Sequence, residues 1–134
     1  MVAQNEDAYK TAYTVSIDAS LDTTTGISSH DRSTTIKLLA NPSSWSNPSL
    51  FTKPGHVFPL RAVNGGVLER LGHTEASIDL CKLAQKEPVS AISEIVKDQG
   101  GMMRRDELIE FARRHGILIC CISDLVRYRL DHGI

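Results

Sequence analysis

At 134 residues the chain has room for one domain with a real core. Hydrophobic residues at 41% and charged residues at 23% are those of a soluble globular protein, and a net charge of −1 excludes a broadly basic nucleic-acid footprint. The longest apolar run, Ile117 to Ile122, is too short to span a bilayer, and the polar, acidic start is not a signal or transit peptide, so a cytoplasmic protein is expected.

Residues 1 to 10 carry no periodic apolar pattern and read as a frayed arm. Ala12 to Asp18 then alternates, with Tyr13, Val15 and Ile17 on one side and Thr14, Ser16 and Asp18 on the other, which predicts a half-buried strand. A polar loop from Leu21 to Ser29 leads to a capping signal, Ser28 with Asp31, and to a short helix that Asn41-Pro42 ends. Pro42 to Pro54 reads as an irregular connection in which Trp45, Leu50 and Phe51 need something to pack on. Short strands are predicted at Gly55 to Leu60 and Gly66 to Leu68 around a turn at Asn64-Gly65. A helix follows from His73 to Lys86 with Ala76, Leu80, Leu83 and Ala84 as its buried stripe.

Ser90 to Val96 reads as another strand, with Glu94 between Ile92 and Val96 on an apolar face. A carboxylate there sits either at a strand end in solvent or inside at a cost. Asp98 to Gly101 is a turn, Asp106 to His115 an amphipathic helix closed by Gly116, and Ile117 to Ile122 a buried strand before a last helix capped by Ser123. Cys81, Cys120 and Cys121 lack Cys-x-x-Cys spacing and read as small hydrophobes in a reducing compartment. Strands interleaved with helices and hairpin-like pieces predict a mixed sheet with helices packed on it, in a single domain over residues 1 to 134.

The stretch from Gly55 to Ala76 carries the chemistry. Gly65, Gly66, Arg70, Gly72, His73 and Thr74 crowd ahead of a helical pattern, with Thr74 as expected N-cap. Glycines let backbone approach an anion, the helix start offers free N–H groups, and Arg70 offers a planar fork to phosphate oxygens. His73 is a candidate metal ligand or proton carrier near neutral pH. A glycine-rich turn with solvated Arg and His fits the same pattern.

Longer blocks narrow the choice. Lys53-Pro54-Gly55-His56-Val57-Phe58-Pro59-Leu60-Arg61, Gly65-Gly66-Val67-Leu68 and Arg70-Leu71-Gly72-His73-Thr74-Glu75-Ala76 resemble the signature region of 3,4-dihydroxy-2-butanone 4-phosphate synthase. Thr11-Ala12-Tyr13-Thr14-Val15, Thr24-Thr25-Gly26-Ile27-Ser28 with Asp31-Arg32, Ser93-Glu94-Ile95 and Phe111-Ala112-Arg113-Arg114-His115-Gly116 extend the resemblance along the chain.

That resemblance implies an α+β fold in three layers, α/β/α, on a mixed twisted sheet. It implies a lyase that converts D-ribulose 5-phosphate to L-3,4-dihydroxy-2-butanone 4-phosphate and formate in riboflavin biosynthesis. Magnesium or manganese would assist without an organic cofactor, and the protein would be a homodimer with no nucleic-acid or membrane partner. His56 and Glu94 fall on the family's essential catalytic positions. Arg70, Leu71, Gly72, His73 and Thr74 fall on its substrate-binding run, with Glu94 and Thr25 as further contacts, and His73 on its histidine metal ligand. Glu75 and Asp79 are expected to be solvated or to favour the helix dipole. The resemblance covers the last two-thirds of the family's length and lacks its acidic N-terminal loop, and Met1-Val2 aligns with an internal Met-Val of longer members. A truncated, non-catalytic chain that binds sugar phosphate or dimerises is the competing expectation.

Overall fold

The computed structural model describes residues 4–134, and the chain divides into two compact units, one ending at Ala91 and one from Ile92 to Ile134. The start of the expected frayed arm and the Met1-Val2 match lie outside the described residues. From Asn5 the arm is tied into a turn: the Asn5 amide donates to the Thr11 carbonyl, and the Thr11 N–H donates to Asp7 Oδ2 at 2.8 Å.

In the first unit, β1 (Ala12–Tyr13) pairs antiparallel with β4 (Leu60–Arg61), and β2 (Ile17–Ala19) pairs antiparallel with β3 (Phe51–Val57). The single strand expected over Ala12 to Asp18 is therefore two. Its alternation is overridden as well: Ser16 to Ala19 are all buried, while Tyr13 and Val15 are exposed. Helix α1 (Ser29–Leu39) packs on β2 and starts as the capping signal predicts, with Ser28 Oγ accepting from the Asp31 N–H at 3.0 Å. Two 3₁₀ turns, Pro42–Ser44 and Pro48–Leu50, fill the connection to β3. Trp45 is exposed rather than packed, and its indole N–H donates to the Leu39 carbonyl.

Gly66–Leu68 is a 3₁₀ turn, not a strand: the Gly66 N–H donates back to the Val63 carbonyl and the Val67 N–H to Asp79 on the following helix, so neither joins a ladder. That helix is α2 (His73–Leu83), which begins one residue before the expected cap: Gly72 occupies the N-cap and Thr74 lies within the first turn. The buried face of α2 is Thr74, Glu75, Ala76 and Asp79, whereas Leu80 and Leu83 are exposed. The hydrophobic stripe predicted for this helix is thus wrong at Leu80, Leu83 and Ala84, since polar groups with dedicated partners take the inner face.

The second unit holds α3 (Arg105–His115) and α4 (Ile122–His132). Gly116 closes α3 in the left-handed conformation, as predicted, with φ of 62°. Cys121, not Ser123, occupies the N-cap of α4. The strands expected at Ser90 to Val96 and Ile117 to Ile122 are absent, apart from one antiparallel bridge between Val96 and Met102. No strand among the described residues pairs with either run, and Ile92, Val96, Ile117, Leu118, Ile119, Cys120 and Cys121 are exposed. The α+β class holds. Among the described residues every strand pair is antiparallel, in two two-stranded sheets, so the mixed sheet is not built from them.

Candidate functional site

The β2–β3 pairing builds a polar cluster around His56. Ile17 faces Val57 while its neighbour Asp18 faces Thr52, so Lys53, Pro54, Gly55 and His56 bulge out of register. A bulge leaves ladder N–H groups without partners, and here side chains of β2 supply them. Ser16 Oγ accepts from the Gly55 N–H at 3.2 Å, and Asp18 Oδ1 accepts from the His56 N–H at 2.8 Å. The other Asp18 oxygen, Oδ2, lies 2.7 Å from His56 Nδ1. Burial pushes the Asp18 carboxyl up, but the His56 backbone N–H, its imidazole and their charge together hold it below the usual carboxylate value.

The loop before α1 closes over this pair. Gly26, with φ of 87°, runs so near that a Cβ would overlap Asp18 Oδ2 and lie 2.6 Å from His56 Nδ1. Only glycine meets both the left-handed backbone and the close approach. Asp31, buried, holds that loop by accepting from Thr24 Oγ1 at 2.9 Å and the Gly26 N–H at 3.0 Å. Burial pushes Asp31 up, and the bonds from Thr24, Gly26 and Ser28 outweigh it, so its carboxyl also sits low.

A second polar assembly surrounds the start of α2. Arg70 donates through Nη1 to Glu75 Oε2 at 2.5 Å, through Nη2 to Thr11 Oγ1 at 3.1 Å, and through Nε to the Tyr9 carbonyl at 3.0 Å. Glu75 is only 1% exposed; its Oε1 accepts from the Val63 N–H, and Asp79, at 2%, accepts from the Val67 N–H at 2.8 Å. Expected to be solvated, both acids instead terminate the backbone of the glycine-rich turn. Beside them opens a concavity of 430 Å³ to which Lys10, Arg61, Asn64, Arg70 and Thr74 contribute polar groups. It is of a size that suits a small phosphorylated ligand.

The remaining sequence candidates distribute unevenly. Thr25 is exposed next to Gly26. Leu71 is exposed, and Gly72 caps α2 where a Cβ would meet Arg70 Nη1 and Glu75 Oε2. His73 is exposed at the first position of the helix. Glu94 lies in the second unit on an exposed segment without regular structure, so of the two expected placements it is the solvent-facing one, and the strand expected around it is not formed. Among the described residues no three His, Cys, Asp or Glu side chains gather to hold a metal ion. A hard divalent cation wants several oxygen ligands, and His73 by itself does not fit as its site.

Sequence reading missed Asp18, Glu75 and Asp79. Asp18 stood on the polar side of an alternating run, and only the bulged register shows that it meets His56. Glu75 and Asp79 are spaced i, i+4 beside Ala76, which is the signal of one shared helix face.

Comparison with known proteins gives the family. The sequence model described as 3,4-dihydroxy-2-butanone 4-phosphate synthase matches residues 1–128. The riboflavin biosynthesis protein RibBA of Bacillus cytotoxicus is 53% identical over 132 residues, covering 98% of this chain and 32% of its own length. The 3,4-dihydroxy-2-butanone 4-phosphate synthase of Pyricularia oryzae is 52% identical, covering 96% of this chain and 59% of its own length. Among solved structures, the synthase of Candida albicans aligns with a TM-score of 0.83 at 51% identity, over 88% of this chain and 60% of that one. A synthase in complex with two magnesium ions aligns with a TM-score of 0.85 at 46% identity, over 99% of this chain and 67% of that one. The chain thus spans from about a third to two thirds of the length of these relatives, and it belongs to the 3,4-dihydroxy-2-butanone 4-phosphate synthase family.

Proposed function

We propose that the chain is part of a lyase of riboflavin biosynthesis, converting D-ribulose 5-phosphate to L-3,4-dihydroxy-2-butanone 4-phosphate and formate as a cytoplasmic homodimer. The observation that carries this reading is the concavity beside α2, lined by Lys10, Arg61, Arg70 and Thr74 together with Glu69 and Glu75, where three cations outnumber two carboxylates. Arg70, Leu71, Gly72, His73 and Thr74 are the proposed substrate-binding run, with Thr25 contributing from the loop over His56. The Arg70 guanidinium already meets Glu75, Thr11 and Tyr9, which fixes its plane before a ligand arrives and lowers the entropy lost on binding.

Enolising a ketose phosphate requires a base that takes a proton from carbon next to the carbonyl. His56 is the proposed carrier of that proton, and Glu94 the proposed carboxylate of the same chemistry. Magnesium or manganese is the expected cofactor, supported by the relative that holds two magnesium ions, with His73 as one ligand. A lone imidazole makes no site for so hard a cation. The work assigned to this chain is therefore phosphate binding and proton transfer by protein groups.

The test is formate release from D-ribulose 5-phosphate with magnesium, with and without chelator. Turnover that chelator abolishes is the expected result once the chain is combined with the family's acidic N-terminal portion, which supplies the oxygen ligands His73 lacks. Arg70→Lys should raise KM by about tenfold with kcat nearly kept, because a point charge replaces the planar fork. His73→Ala should abolish turnover. Binding of ribulose 5-phosphate without any formate would overturn the enzyme reading in favour of a sugar-phosphate-binding chain.

A further inference from the structure

Asp18 carries a feature that the binding reading does not use. Its two carboxylate oxygens are committed to one residue: Oδ1 to the backbone N–H of His56 and Oδ2 to the Nδ1 of its ring. The residue is buried while the His56 side chain is 40% exposed. A backbone bond and a ring bond from one carboxylate fix both where His56 starts and how its ring is turned. Gly26 packs against the same pair, and Asp31 anchors Gly26 by accepting its N–H at 3.0 Å. The imidazole is thus held from the strand side by Asp18 and from the loop side by a backbone with no side chain.

The geometry points to Asp18 as the positioning residue of His56, fixing the imidazole as its Nδ1–H tautomer and leaving Nε2 as the proton acceptor for the reaction. This rests on the reading of His56 as the proton carrier. An ionised carboxylate only accepts, so the 2.7 Å approach of Asp18 Oδ2 is a hydrogen bond only when the proton is on Nδ1. The neutral ring then carries its lone pair on Nε2, which makes no hydrogen bond among the described residues. The opposite tautomer would set a lone pair against a carboxylate oxygen. A base chosen in this way needs no rearrangement when substrate arrives, and the same carboxylate stabilises the imidazolium formed once the proton is taken.

Asparagine at position 18 breaks the arrangement selectively. Its amide has one oxygen and one NH₂ group, so it cannot accept from the His56 N–H and the ring Nδ1–H with separate oxygens. Long-range ¹H–¹⁵N spectra of the ¹⁵N-labelled chain at mildly alkaline pH read the tautomer directly, with no substrate or metal present. Expected for the unmodified chain is a pyrrole-type Nδ1 and a pyridine-type Nε2 at His56; the reverse pattern overturns the proposal without any variant. Asp18→Asn should give a mixture with the Nε2–H form, and an unchanged Nδ1–H pattern in a folded variant also overturns it. In protein that turns over ribulose 5-phosphate, Asp18→Asn should lower kcat by about 10²–10⁴-fold with KM within about twofold, as expected when a base loses its orienter. Equal loss in KM, or none in kcat, would reduce Asp18 to a structural residue. Absence of turnover in the unmodified chain combined with that N-terminal portion would count against the lyase reading and leave the tautomer result standing.

Discussion

Two stretches, one mixed and one wholly apolar, meet opposite fates. Phe51 to Val57 is a strand, whereas Ile117 to Cys121 is exposed and in no ladder, its ends bonded only locally, the Ile117 N–H to the Ala112 carbonyl and the Cys121 carbonyl to the start of α4. The difference lies less in hydrophobicity than in partners. Phe51 to Val57 contains Lys53, Pro54 and His56 and is the more polar of the two, yet it is held by the β2 ladder and by side-chain acceptors from Ser16 and Asp18. The apolar run has no described strand to take its N–H and C=O groups, so its β-propensity has nothing to act on. Ordered structure in the first unit follows hydrogen-bond termination by buried acids: Asp18 for the bulge, Asp31 for the loop, Glu75 and Asp79 for the glycine-rich turn.

The strongest way to break that contrast is to remove one of those acids. Glu75→Ala leaves the Val63 N–H and the Arg70 guanidinium without their acceptor. Removing one partner of a buried pair costs about 3 kcal/mol, at the low end of the usual range because Arg70 is partly solvated. Glu75→Gln keeps an acceptor for Val63 and should lose about half as much. Urea unfolding followed by Trp45, the only tryptophan, reports on the first unit. Equal stability of Glu75→Ala and the unmodified chain would mean that the turn is not held by this carboxylate.

Acid should act on the same groups with a smaller, graded effect. Asp18 and Asp31 are held below their ordinary value of 3.8 in the fold. Their contribution is therefore complete above the unfolded value and is lost as pH falls through the lowered folded values, since the unfolded chain then binds more protons. The Trp45-detected urea midpoint should be level above about pH 5 and decline below it. Asp18→Asn should make that decline shallower. A midpoint that instead fell between neutral and mildly alkaline pH would assign the dependence to another group.

Much of the fold that depends on local chemistry was legible in the residues. Ser28 with Asp31 announced the start of α1, and Gly116 the end of α3, because caps are settled by side chains within one turn. The Gly55–Ala76 stretch stood out as the candidate chemical centre for the same reason: its glycines, Arg70 and His73 are informative without tertiary context, whereas His56 came only from the family resemblance. What escaped depends on pairing at long range. Asp18 and His56 are 38 positions apart, and a register broken by a bulge decides that they meet. The inner face of α2 was read from Leu80 and Leu83, yet acids with backbone partners 12 residues upstream occupy it. The strands at Ser90 to Val96 and Ile117 to Ile122 were read from composition alone, and composition does not supply a neighbour.

The smallest expected effect tests the other half of the contrast. Leu118 is 98% exposed, and an exposed leucine with no packing partner contributes little to the folded state. Leu118→Ser should change the stability of the chain by less than about 0.5 kcal/mol, measured by urea unfolding detected through helical circular dichroism. It should also lessen self-association in sedimentation velocity, because Ile117, Leu118 and Ile119 together present an exposed apolar run in no ladder that another strand edge could add to. A loss well above that limit would show that Leu118 is covered in solution. If the loss also grew with protein concentration, the cover would be a second copy, and the exposed run would then differ from Phe51 to Val57 only in taking its partner from another molecule.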